Sequence, residues 1–123
     1  ANREHYAWQD GKRVFVHAVK GMTSTVEEIM RRNKMTTDDV KWIVPHQANI
    51  RIIQSAAKRL NLPMEKVVVN VERYGNTSAA SIPLALAEAA RSGRFKKGDI
   101  IALAGFGAGL TWASCVMKWA KED

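Results

Sequence analysis

The sequence predicts an α/β fold in which helices pack on a mainly parallel sheet with an antiparallel end. Three observations carry this. Apolar residues recur at spacings of three and four over 15–30 and again over 50–60, the pattern of helices with one core-facing stripe. Val67, Val68 and Val69, with Val71, form a near-continuous β-branched run, as in strands covered on both faces. Ile100 to Ala104 and Leu110 to Trp119 are separated only by 105–109, and so short a connection makes them antiparallel neighbours. The predicted order is αβαβαββ. A chain of 123 residues suits a single core, or one layer-pair of something larger.

Taken in order, residues 1–13 are polar, carry Tyr6, Trp8 and the turn signal Asp10-Gly11, and read as a surface loop. The first helix follows, with Phe15, Val19, Met22, Val26, Ile29 and Met30 facing inward, and ends near Arg32-Asn33. Thr36 to Asp39 supplies caps for a short turn before a strand from Val40 to Val44, which Pro45 stops. A second helix runs to about Leu60, with Ile50, Ile53, Ala57 and Leu60 on its stripe and Arg51, Lys58 and Arg59 off it. After a turn at 62–66 comes the valine strand, then a small-residue helix ending around Ser92-Gly93, with Pro83 tolerable in its first turn. Lys96 to Asp99 is a turn, and 105–109 is too glycine-rich for regular structure.

Composition narrows the partners. Net charge is +7, from 19 Lys and Arg against 12 Asp and Glu, which attracts acidic partners without choosing among them. No aromatic-interleaved basic motif or helix-turn-helix pattern accompanies the charge, so nucleic acid is not an expected partner. The longest mainly apolar windows, 78–90 and 100–119, are interrupted by polar residues and glycine and fall short of the ~20 residues a membrane span needs. Ala1 to His5 lack the basic patch and apolar core of a secretory leader. Cys115 is the only cysteine, which excludes an internal disulfide and any cysteine-rich metal site, and a cytoplasmic setting fits best. His46 alone among the histidines lies at a junction, so no zinc cluster assembles. No metal and no cofactor is expected.

Chemistry gathers at three element junctions. Pro45-His46-Gln47-Ala48-Asn49 puts an imidazole and two carboxamides between a strand and a helix, where a rigid sheet can aim them. Tyr74 to Ser81 is a second strand-to-helix junction, and Gly105-Phe106-Gly107-Ala108-Gly109 joins the last strands. Taken alone, His46 reads either as a hydrogen-bonded structural residue or as a catalyst.

In this order and spacing the three junctions, the last continued through Leu110-Thr111-Trp112, resemble the carboxy-terminal half of the β-ketoacyl-acyl-carrier-protein synthase III family, initiating condensing enzymes of type II fatty-acid synthesis. The resemblance runs from about Gly11 to Trp119. It implies a thiolase-like half-fold and a homodimeric enzyme when complete. It also implies a Claisen condensation in which a cysteine is acylated by an acyl-CoA substrate and malonyl-acyl-carrier protein decarboxylates to attack it. By the same resemblance His46 and Asn76 complete a Cys-His-Asn triad, a pair of donors suited to a developing enolate. A backbone N–H at Gly107 or Ala108 serves the second oxyanion, Ala108 standing where the family has glycine. Phe106 lies by the active-site cysteine, Asn49 lines the site, and Phe15 lies beside the pantetheine tunnel; an ordinary helix cap and a core ring are the alternatives for Asn49 and Phe15. Arg51, Lys58 and Arg59 match a basic surface that meets the acidic carrier protein, against the plainer reading of a solvated helix face.

The family's nucleophile belongs to an amino-terminal half that this sequence does not contain, so the chain is expected to be inactive alone. Cys115, inside a predicted strand with no basic neighbour to lower its pKa, does not replace it. His5 and His17 match no motif. A related polyketide or alkylquinolone condensing enzyme, a non-catalytic module that binds carrier protein and, third, a basic nucleic-acid-binding domain are the alternatives.

Overall fold

The structure is a computed structural model that describes residues 8–122; His5, Tyr6 and most of the predicted amino-terminal loop lie outside them. Its elements are α1 (Gly11–Arg32), β1 (Trp42–Pro45), α2 (Ile50–Arg59), the one-turn α3 (Val71–Tyr74), α4 (Ser81–Arg91), β2 (Ile100–Gly107) and β3 (Thr111–Lys118). The three strands form one sheet in the order β1-β2-β3, parallel between β1 and β2 and antiparallel between β2 and β3. This is the expected fold class, a parallel sheet with an antiparallel end.

Strand alternation explains why both faces of the sheet are covered. Ile43, Ala102 and Ala104 join a core with Met22, Val26 and Met30 of α1 and Ile52, Ile53 and Ala57 of α2. Val44 and Ile101 turn to the other face and pack with Val68, Phe95 and Ala85 and Ala89 of α4. Neighbouring strand residues are thus apolar on both sides, because helices lie on each face. The stripe of α1 holds the predicted Met22, Val26 and Met30, with Phe15 and Val19 partly buried against the same core; Ala18 joins it and Ile29 does not.

Three expectations are corrected. Asp10-Gly11 is the start of α1, not a turn inside a loop: the Asp10 carboxylate accepts from the Arg13 N–H at 3.2 Å and caps the helix. The valine strand reduces to one parallel bridge between Ile43 and Val67, with Val68 N–H donating to the Ile43 carbonyl at 2.9 Å. Beyond it the Gln47 side chain takes the bonds a neighbouring strand would have made: Nε2 donates to the Val68 carbonyl at 3.1 Å, and Oε1 accepts from Asn70 N–H at 2.9 Å and Val71 N–H at 3.1 Å. Val71 therefore opens α3 instead of extending a strand. Finally, β2 continues through Gly105, Phe106 and Gly107, paired with Ala113, Trp112 and Thr111 of β3, so cross-strand pairing outweighs the weak strand preference of glycine. The turn shrinks to 108–110.

One glycine is needed for a close approach. A Cβ added to Gly21 of α1 would stand 2.9 Å from the indole of Trp112 on β3, inside van der Waals contact. Gly21→Ala is expected to destabilise the chain by about 1–3 kcal/mol through overpacking, read as a lower urea midpoint. An unchanged midpoint would mean that Trp112 leaves the helix freely.

Candidate active site

Parallel pairing delivers His46. Pro45 is the last residue of β1, opposite Ala104, and the His46 N–H donates to the Ala104 carbonyl at 2.7 Å. The imidazole therefore leaves the sheet from a backbone pinned to β2, half-buried at the strand end. Its ring makes no hydrogen bond among the described residues. Burial lowers its pKa from the ordinary 6.5, which favours the neutral ring.

Asn76 arrives from the other side, after α3 and Gly75, whose φ of +66° suits glycine at the helix end. The Asn76 Oδ1 accepts from the Ser78 N–H at 2.8 Å, an Asx turn. That bond occupies the oxygen and leaves the amide nitrogen without a partner among the described residues. Ser78 holds φ +55°, rare for a residue with a side chain, so this turn stores some backbone strain beside the site.

Two hollows meet here. One, of about 560 Å³, is lined by His46, Asn76, Ile82, Phe106, Gly107 and Trp112 among others. The second, of about 710 Å³, is lined by Phe15, His46, Asn49, Asn76, Phe106 and Leu110 among others. His46, Asn76, Phe106, Gly107 and Ala108 belong to both, so these five form the junction between the hollows. The predicted residues of all three loops are thus brought to one place, and Phe15 and Asn49 line the second hollow only.

Asn49 is also a helix cap, its Oδ1 accepting from the Arg51 N–H at 2.8 Å. Phe15 likewise packs against the core of α1 while facing the hollow. Ala108 needs no left-handed backbone: in this turn the positive φ, +145°, falls on Gly109. Arg51, Lys58 and Arg59 do not join the junction; all three are exposed on α2. His17 and Cys115 are exposed as well. No group of three or more potential metal ligands occurs among the described residues.

Ser78 and Trp112 lay within the junction loops read from the sequence but were given no role there, and the bonding role of Gln47 was missed. The Asn-x-Ser spacing was a usable signal for Ser78, since Asn side chains accept from the N–H two residues on. Nothing local marks the role of Gln47.

Comparison with known proteins agrees with the geometry. The family described as 3-oxoacyl-[acyl-carrier-protein] synthase III, C-terminal, matches residues 30–119. The chain belongs to that family. It is 52% identical over 121 residues to β-ketoacyl-[acyl-carrier-protein] synthase III of Porphyromonas gingivalis, covering 98% of this chain and 36% of that protein. The crystal structure of β-ketoacyl-[acyl-carrier-protein] synthase III from Thermus thermophilus superposes with a TM-score of 0.92 at 48% identity, over 98% of this chain and 37% of that one. The priming β-ketosynthase of the R1128 polyketide pathway superposes with a TM-score of 0.85 at 41% identity, over 94% and 35%. The synthase III relatives give the fold its thiolase-like name. The chain spans about a third of the length of these proteins.

The lowered His46 pKa has a defined consequence. The unfolded chain binds this proton more readily than the folded one, so the group's contribution to stability is whole above 6.5 and is lost as pH falls through the lower folded value. An NMR titration is expected to find the native His46 midpoint below 6.5, returning to 6.5 in denaturant; a native midpoint at or above 6.5 contradicts the burial argument.

Proposed function

We propose that this chain is the carboxy-terminal part of a β-ketoacyl-acyl-carrier-protein synthase III, an acyltransferase that condenses an acyl-CoA with malonyl-acyl-carrier protein at the start of fatty-acid synthesis. The observation that carries the proposal is the junction itself: a neutral imidazole and a carboxamide with its oxygen already engaged line the same two hollows. An enolate needs such a site.

In this reading a cysteine from the rest of the longer protein attacks the acyl-CoA carbonyl and expels the CoA thiol. The malonyl carboxylate then leaves as carbon dioxide, and its electron pair moves into the Cα–carbonyl bond, placing negative charge on the thioester oxygen. His46 and Asn76 donate to that oxygen, and fixed donors at hydrogen-bond distance stabilise the charge without reorganising. Asn76 cannot ionise, and the lowered pKa of His46 keeps its ring neutral at neutral pH. The Cα attacks the acyl-cysteine carbonyl, a backbone N–H at Gly107 or Ala108 receives the second oxyanion, and collapse releases the cysteine thiolate. Phe106 contributes an apolar wall where carbon dioxide departs.

The second hollow, with Phe15 and Asn49, suits the pantetheine arm shared by acyl-CoA and the carrier protein. Arg51, Lys58 and Arg59 offer the acidic carrier protein a positive face on α2. No cofactor or metal takes part, acyl-CoA being a substrate. The complete enzyme is read as a cytoplasmic homodimer; no described helix is long and apolar enough to cross a membrane. A second reading, a ketosynthase that primes polyketide synthesis, is favoured by the R1128 neighbour and uses the same donor pair.

In the full-length protein, His46→Ala and Asn76→Ala are each expected to lower condensation about 10²–10³-fold while leaving cysteine acylation by labelled acyl-CoA nearly intact. Equal loss of both steps would remove the enolate role. Arg51→Glu is expected to raise KM for malonyl-acyl-carrier protein about tenfold with little change for acyl-CoA, and parallel changes would make Arg51 an ordinary surface residue.

A further inference from the structure

Gln47 stands next to His46 yet lines neither hollow. Its side chain is fully buried, 0% exposed, and makes four hydrogen bonds, every one of them to backbone. Nε2 donates to the carbonyls of Pro45 at 2.8 Å and Val68 at 3.1 Å; Oε1 accepts from the N–H groups of Asn70 at 2.9 Å and Val71 at 3.1 Å. A carboxamide has two donor hydrogens and two acceptor lone pairs on its oxygen, so this one is used to capacity.

The partners lie on two segments that diverge after the single bridge between Ile43 and Val67. One is the β1 exit carrying His46. The other, 68–71, leads through α3 and Gly75 directly to Asn76. The second segment is anchored again at its middle: Asn70 Nδ2 donates to Glu88 of α4 at 3.2 Å, and the Asn70 carbonyl receives the N–H groups of Arg73 at 3.0 Å and Tyr74 at 3.2 Å. Glu88 also pairs with Arg73, at the far side of the same turn. Gln47 is therefore the buried link between the backbone that aims the imidazole and the backbone that aims the carboxamide.

We propose that Gln47 is a positioning residue that sets the spacing of His46 and Asn76, a role that rests on the donor-pair reading of the site. It touches no substrate and acts only through the two loops. No other side chain satisfies these four groups. Glutamate keeps the acceptor but turns its second oxygen toward two carbonyls, methionine keeps the length and satisfies none, and asparagine is one methylene short. Because both donors must reach one small oxygen, a displacement of about 1 Å between the loops costs turnover out of proportion to its effect on the fold.

The test compares Gln47→Glu and Gln47→Met in the full-length enzyme, with circular dichroism and the melting transition as the check that the protein is folded and cysteine acylation as the control reaction. The expected result is a fall of about ten- to hundredfold in kcat for condensation, with the acylation rate and KM for acyl-CoA nearly unchanged. Should neither variant fold, Glu88→Ala loosens the same brace from a partly exposed helix face and is expected to lower kcat about threefold with acylation intact. Wild-type condensation in a folded Gln47→Met protein, or in Glu88→Ala if it alone folds, overturns the proposal, as does equal loss of acylation and condensation. Amide exchange separates this from failure of the functional reading: the amides of 70–78 are expected to exchange faster in Gln47→Met, or in Glu88→Ala when that variant is used, whatever reaction the site performs. Unchanged exchange there overturns the clamp itself.

Discussion

The site depends on a buried carboxamide more than on any charged contact. Left without Gln47, the buried Pro45 and Val68 carbonyls and Asn70 N–H, and the part-buried Val71 N–H, would lose this partner, and each buried unpaired group costs about 1–3 kcal/mol. Satisfying all four with one side chain lets β1 and the valine segment separate after a single bridge. That separation is what opens room for α3, Gly75 and the Asn76 turn. A complete ladder would have kept 68–71 extended and carried Asn76 elsewhere.

The rest of the architecture places three loops at one end of a small sheet. β1 and β2 run parallel, so His46 and the turn after Gly107 leave the sheet at the same end. Helices on both faces keep the strands apolar, and the Asn76 loop follows α3 and leads on to α4. The sheet supplies fixed backbone, and in the proposed function the loops supply donors that need no proton transfer to act. Half-burial of His46 serves both, since it orients the ring and favours its neutral form.

Much of this was legible in the residues. Most of the α1 and α2 stripes, the parallel strand before Pro45 and the antiparallel pair at the end were readable because apolar periodicity reports burial directly, while Ile29 and Ile50 fall outside the core and Ala18 and Ile52 inside it. His46, Asn76, Phe106, Gly107 and Ala108 were named through the family resemblance that three motifs carry, and they line the same two hollows. What failed had physical causes. Asp10-Gly11 serves equally as a turn and as a helix start, and only the bond to Arg13 distinguishes them. Val67 to Val71 has every intrinsic preference for a strand, but the competing hydrogen bonds come from Gln47, more than twenty residues upstream. Gly105 and Gly107 have little strand preference alone and are held in β2 by Ala113 and Thr111.

The proposed chemistry rests on two uncharged donors converging on one developing oxyanion. Its most direct measurement is a structure of the full-length protein bound to a malonyl thioester analogue that cannot decarboxylate. The thioester-equivalent oxygen is expected within about 3.2 Å of both an imidazole nitrogen of His46 and Nδ2 of Asn76. An analogue seated in the site with that oxygen bonded to neither side chain would contradict the account.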